Sequence, residues 1–144
     1  MKLVNIMATV ILLFASAAAA RAQERQLLKA KVPFAFSAED RALPAGTYTV
    51  SLLAPYNMIR VQSADGRKVA IIAAIPSQKL QQSTQVKLVF RHLGSEYFLV
   101  QVWEQGSFVH RDLQTGKRAV ELSKTGEKGE LVTVLADVTS GPRS

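Results

Sequence analysis

The 144-residue sequence contains no cysteine and only two histidines, His92 and His110. That scarcity excludes disulfide frameworks, thiol nucleophiles and cysteine-based zinc or iron–sulfur centres. Phosphate-binding and acyl-transfer signatures are missing as well. No G-x-G-x-x-G, Walker or G-x-S-x-G pattern occurs, so the chain has neither a glycine-rich phosphate cradle nor a nucleophile elbow. It lacks a run of basic residues, and no amphipathic helix longer than two turns can be traced. What remains is a chain that is 48% apolar and 20% charged, a globular balance far from that of disordered segments. Its length suits one domain.

The N-terminus reads as an address. Met1-Lys2 is a short positive start, Leu3 to Ala20 is apolar apart from Asn5, Thr9 and Ser16, and small residues crowd Ala15 to Ala22. This is the order of a secretory signal peptide over residues 1–22. Ala20-Arg21-Ala22 supplies an A-x-A site with cleavage between Ala22 and Gln23, and Ala18-Ala19-Ala20 is the alternative, cleaving before Arg21. With no cysteine to follow, a lipid anchor is excluded. Residues 23–144 then form the mature domain, with a net charge of +5 and no stable membrane span after cleavage. The expected location is periplasmic or extracellular. Such a charge serves solubility, or suits acidic envelope polymers or anionic headgroups, while nucleic acid is not an expected partner of an exported chain without a basic-aromatic motif.

The mature chain reads as strands. Val32, Phe34 and Phe36 alternate with Pro33, Ala35 and Ser37, and the proline places this strand at an edge. Leu43-Pro44-Ala45-Gly46 makes a turn before Thr47 to Leu53, which sets Tyr48, Val50 and Leu52 on one face. Met58 to Ser63 and Arg67 to Ala74 flank Ala64-Asp65-Gly66, a strong hairpin signal. Val69 to Ile75 is apolar on both faces, which predicts a central strand covered on both sides and ended by Pro76. A second hairpin joins Gln85–Arg91 to Glu96–Trp103 around His92 to Ser95. Phe108 to His110 is a shorter run, Ser123 to Glu130 is a loop, and Leu131 to Val138 is the last strand. About seven to eight short strands follow, predicting an all-β fold, an antiparallel sandwich or small barrel. A transmembrane barrel is disfavoured by the short strands and the lack of aromatic girdles.

Three segments, Val32-Pro33-Phe34-Ala35-Phe36, Leu43 to Val50 and Tyr97-Phe98-Leu99-x-x-Val102-Trp103, follow the leader. Together they resemble a group of small exported bacterial all-β proteins that carry no assigned activity. The resemblance implies a fold and an address, and transfers no catalytic or binding residue.

Candidate chemistry is sparse. His110-Arg111-Asp112 echoes a kinase catalytic loop without the rest of that machinery, and Gly126-Glu127-Lys128-Gly129 matches a KH-type clamp without flanking helices. His92 and His110 could meet Asp112 or Glu104 at a metal only if the fold gathered them, and neither a metal nor a cofactor is expected. Glu96 and Glu104 sit at opposite ends of one strand, about 26 Å apart, too far for a glycosidase pair. The one suggestive set is Tyr97, Leu99, Gln101 and Trp103, which strict alternation puts on one strand face. There they would form a stacking platform for a sugar or a lining for an apolar ligand, or simply a second buried face. Tyr56 and Asn57 could add to it if the loops converged. The expectation is an exported, non-enzymatic envelope protein, a binding or structural module for another envelope component. The alternative is a small barrel carrying an apolar or glycan ligand.

Overall fold

A computed structural model describes residues 24–54, 56–126 and 128–138. The leader over residues 1–22 and the Ala22/Gln23 cleavage point lie outside the described residues. Among the described residues, ten strands and one helix follow in order: β1 Glu24–Val32, β2 Phe36–Ala38, β3 Arg41–Leu43, β4 Gly46–Leu53, β5 Met58–Ser63, β6 Val69–Gln78, β7 Lys87–Leu93, β8 Glu96–Trp103, β9 Val109–Leu113, α1 Lys117–Lys124 and β10 Glu130–Leu135. The fold is all-β and sandwich-like.

One layer pairs β1, β4, β5 and the first half of β6, all antiparallel. The other layer runs from the second half of β6 through β9 and β8 to β7 and β10. Strand β6 belongs to both, because Val69 to Ala73 pair with β5 and Ala74 to Gln78 pair with β9. The small β2–β3 hairpin lies beside β8, parallel to it at Ser37 and Phe98. The sheet does not close into a barrel. Its two ends touch at one antiparallel bridge, where Lys29 and Asp137 exchange backbone hydrogen bonds of 3.0 and 2.9 Å.

The inner faces bury one cluster that includes Leu28, Tyr48, Val50, Ile59, Ile72, Leu88, Phe90 and Leu99. Phe90 sits at its centre, meeting the rings of Phe34 and Phe36 edge-on at 5.0 and 5.2 Å. Tyr48 completes the turn that precedes it by donating its hydroxyl to the Pro44 carbonyl, so the Leu-Pro-Ala-Gly segment is stitched to the core it introduces. Burial, with Asp65 second, pushes that hydroxyl above its ordinary pKa. The Asp65-Gly66 turn forms as its residues require. Gly66 takes φ 75°, and the Asp65 carboxylate accepts from the Ser63 hydroxyl at 2.6 Å and the Arg67 amide at 3.0 Å.

Four expectations are corrected. The Val32–Phe36 strand is split: β1 ends at Val32 and β2 begins at Phe36, with Pro33, which has no N–H to give, in the break. The strand before it, Glu24 to Lys31, carries no period-two signal, because a bulge at Leu27 lets Leu27 and Leu28 both turn inward and breaks the alternation. Strand β6 is central yet covered on one face only. Ala70, Ile72 and Ala74 are buried, while Ile71 and Ile75 are 51% and 67% exposed. Nor does Pro76 end it, for beyond Ala74 the strand is paired with β9 alone, and a missing N–H on the open side costs no ladder bond.

The fourth correction is α1. Ser123 and Lys124, expected in a loop, close a helix whose sequence, Lys-Arg-Ala-Val-Glu-Leu-Ser-Lys, is rich in strong helix formers. Ala119 and Leu122, three residues apart, press onto the outer face of β7 and β8 against Val89, Leu93, Phe98 and Val100. The second layer is therefore covered on both faces, but only where this helix lies. At the helix start, a Cβ on Gly116 would come within 2.7 Å of the Glu39 carbonyl carbon, so the helix docks closely on the β2–β3 turn.

Candidate functional site

The four residues singled out on β8 do not share a face. Val89 of β7 pairs with Gln101 and Phe90 pairs with Leu99, which leaves Val100 as an extra residue in β8. Such a bulge reverses the alternation beyond it. Tyr97 and Leu99 therefore point inward: Leu99 is 1% exposed in the core, and Tyr97 stacks on Phe34 at 3.9 Å and on His92 at 4.1 Å. Gln101 and Trp103 lie on the opposite, outer face.

There the bulge assembles a compact polar group that strand alternation alone does not reveal. Trp103 stacks on His110 of β9 with ring centroids 4.6 Å apart and planes 8° from parallel. Its indole N–H donates to Gln101 Oε1 at 3.0 Å, and Gln101 Nε2 donates to Asp112 Oδ1 at 2.9 Å. The Ser77 hydroxyl from β6 gives the other Asp112 oxygen a 2.6 Å hydrogen bond, while His110 Nε2 stands 3.4 Å from Asp112 Oδ1. His110 Nδ1 is buried without a hydrogen-bond partner. Over the indole lie two ammonium groups, Lys79 Nζ at 3.7 Å and Lys87 Nζ at 4.5 Å from the ring centroid. The whole group spans three neighbouring strands, β6, β9 and β8, with Lys87 reaching in from β7.

Electrostatics tune Asp112. Burial pushes its carboxyl up, but the hydrogen bonds from Ser77 and Gln101, with the His110 ring nearby, outweigh this and hold it below the ordinary aspartate value. A depressed folded-state pKa adds stability above the unfolded value of about 3.9, and that stability is lost as pH falls through the folded value. Asp112→Asn is therefore expected to melt below the wild type at neutral pH. The gap should shrink as pH falls below about 4, as followed by thermal melts monitored by circular dichroism. A gap that holds constant into acid would refute this account.

The other candidates separate. His92 and His110 lie opposite Tyr97 and Trp103, about 20 Å apart along β8, and no group of three metal-ligating side chains forms among the described residues. His110, Arg111 and Asp112 are simply consecutive residues of β9. Glu96 pairs with Arg118 at 3.1 Å, and Glu104 with Arg111 and Arg25 at 2.6 and 3.1 Å, so each carboxylate is already neutralised by arginine. Tyr56 is 79% exposed and Asn57 takes φ 49° in the bend before β5, in the other layer from the Trp103 group.

Two sizeable clefts open on the surface. One of about 710 Å³ lies between the β2–β3 turn and the start of β6, lined by Glu39, Asp40, Arg41, Arg67 and Ile71 among others. Another, of about 620 Å³, runs over the outer face of the first layer past Glu24, Lys29, Arg60 and Asp65. Neither is lined by Tyr97, Leu99, Gln101 or Trp103. No protein-family model matches the chain, and no curated protein or solved structure matches it either.

Proposed function

We propose that the chain is an exported, non-enzymatic interaction module of a bacterial envelope, which engages a second polypeptide by adding a strand to its sheet. The open edge of β10 carries this reading. Among the described residues β10 forms a ladder with β7 alone, and its other edge is bonded to β1 only past its end, at the Lys29–Asp137 bridge. Residues 131–135, Leu-Val-Thr-Val-Leu, hold no proline and no charge, and their register against β7 runs without a bulge. Leu131 and Leu135 are 62% and 63% exposed. Edge strands usually carry such guards because unpaired N–H and C=O groups template another chain, and partners that exploit an unguarded edge add a strand there. The leader-like order of residues 1–22 supports the address, and the filled space between the layers, packed by Tyr48, Phe90, Ile59 and Leu99, leaves a carrier without a chamber there.

Native mass spectrometry of the protein recovered from its host's envelope tests this reading. The expected result is a mature chain beginning at Gln23 in complex with a second polypeptide. Leu131→Lys with Leu135→Lys should release that partner while the melting temperature stays within the range of surface changes, about 0.5 kcal/mol each. A bare monomer with a small-molecule adduct would overturn the proposal in favour of a carrier.

A further inference from the structure

The open edge of β10 reads the same in both directions. Leu131-Val132-Thr133-Val134-Leu135 is a palindrome about Thr133. A strand that pairs antiparallel with its own copy across a two-fold axis sets each residue against the one equally far on the other side of the centre. With the axis at Thr133, leucine faces leucine, valine faces valine and threonine faces threonine. The backbone is oriented for that centre. The Ala136 N–H bonds to Val86 on the β7 side, whereas the N–H and C=O of Asp137 bond to Lys29 on the other side. These groups alternate along a strand, so Leu131, Thr133 and Leu135 each turn an N–H and a C=O to the open edge.

We infer that the strand added at this edge is β10 of a second copy of this chain, paired antiparallel about Thr133. The inference rests on the edge reading above and names its partner. Thr133 exchanges both backbone hydrogen bonds with its mate, and Leu131 and Leu135 do the same with each other across the axis, two bonds at each of three pairs. The ladder is limited from within, because the next open-edge groups belong to Asp137 and Lys29 already holds them. A centre at Leu135 would need those same groups, and one at Leu131 would set Thr133 against Gly129, which precedes the strand. Side chains agree on both faces. Leu131 and Leu135, 62% and 63% exposed in the single chain, meet across the axis on the outer face, the kind of cross-strand contact that stabilises a sheet. Val132 and Val134, half-buried against the core, meet on the inner face. No like charges are opposed, since Glu130 comes opposite Ala136 and Asp137 opposite Gly129. One short added strand is a small interface, so the dimer is reversible.

The chain has no cysteine, so single introduced cysteines read the register. The protein is expressed with its own leader, purified, and followed by sedimentation velocity from micromolar to millimolar concentration. The expected result is a monomer–dimer equilibrium whose dissociation constant rises at least tenfold in Leu131→Lys/Leu135→Lys, with the melting temperature kept. Under mild oxidation Thr133→Cys is expected to cross-link, since the Cα atoms of a hydrogen-bonded pair lie about 5.5 Å apart, within disulfide reach. Leu131→Cys is expected not to, since its mate lies about 13 Å away along the strand at about 3.3 Å per residue. A purified chain that stays monomeric throughout overturns the inference. If a different polypeptide then co-purifies from the envelope and is lost in Leu131→Lys/Leu135→Lys, the edge reading stands with another partner; if none does, both fall. A dimer that survives the two lysines, or cysteines that cross-link equally at both positions, places the contact between copies elsewhere and also overturns the inference.

Discussion

Phe90→Ala is expected to cost about 3–5 kcal/mol, the range for emptying a large aromatic from a packed core. Phe90 is fully buried, and its ring is the meeting point of Phe34 from the segment after β1 and Phe36 from β2. Those two reach it from a short, irregular stretch of chain whose own backbone pairing is slight: β2 has three residues and meets β8 at one position. The aromatic contacts, rather than a ladder, hold this stretch against the second layer. Removing Phe90 therefore opens a cavity and also loosens Phe34, whose stacking on Tyr97 depends on the same packing. Since a domain of this size is stable by roughly 5–15 kcal/mol, the alanine variant is expected to sit near the limit of folding. Phe90→Leu keeps most of the volume and should cost about 1–2 kcal/mol. Urea denaturation of both variants checks this. A Phe90→Ala cost under about 1 kcal/mol would mean that the cluster collapses without loss and that the three-ring account is wrong.

The second large effect is expected at Glu104. This carboxylate is 14% exposed and is held by Arg111, itself 11% exposed, at 2.6 Å and by Arg25 at 3.1 Å. Arg111 lies opposite Val102 in the β8–β9 ladder, and Arg25 reaches the same carboxylate from β1, so Glu104 ties the two layers together. Glu104→Ala leaves a largely buried guanidinium without its acceptor, and breaking such a pair from one side costs about 3–5 kcal/mol. Replacing both partners by apolar residues of similar volume, Glu104→Leu with Arg111→Met, removes the stranded charge. Because the desolvation cost of both ions disappears with them, the double variant should be more stable than Glu104→Ala alone. A double-mutant cycle by chemical denaturation decides the matter. Strict additivity of the two single changes would show that the pair is solvated enough to behave as a surface contact.

Much of this architecture was legible in the order of residues because its causes are local. The period of two in Thr47 to Leu53 and in Gln85 to Trp103 follows from the pleat, and β4, β7 and β8 lie where it put them. Asp65-Gly66 and Gly94 supply the positive φ that tight hairpins require. From these came the all-β class, with sandwich and small barrel both still open; Pro33, read as marking an edge strand, in fact breaks the ladder between β1 and β2.

What the sequence could not express are the features created when distant strands meet. Two bulges, at Leu27 and Val100, shift the alternation by one residue, and each exists because a neighbouring strand fixes the register on either side of it. The Val100 bulge sends Tyr97 and Leu99 into the core and Gln101 and Trp103 outward, so the supposed platform of four never forms. In its place the fold brings His110 and Asp112 of β9, Ser77 of β6 and two lysines around Trp103. Strand β6 shows the same division: its apolar run was plain to read, but which face would be covered depended on how it bends from one layer into the other. Local chemistry thus determined the elements and the turns. Register and layer contacts, which depend on residues far apart in the chain, decided which side chains share a surface.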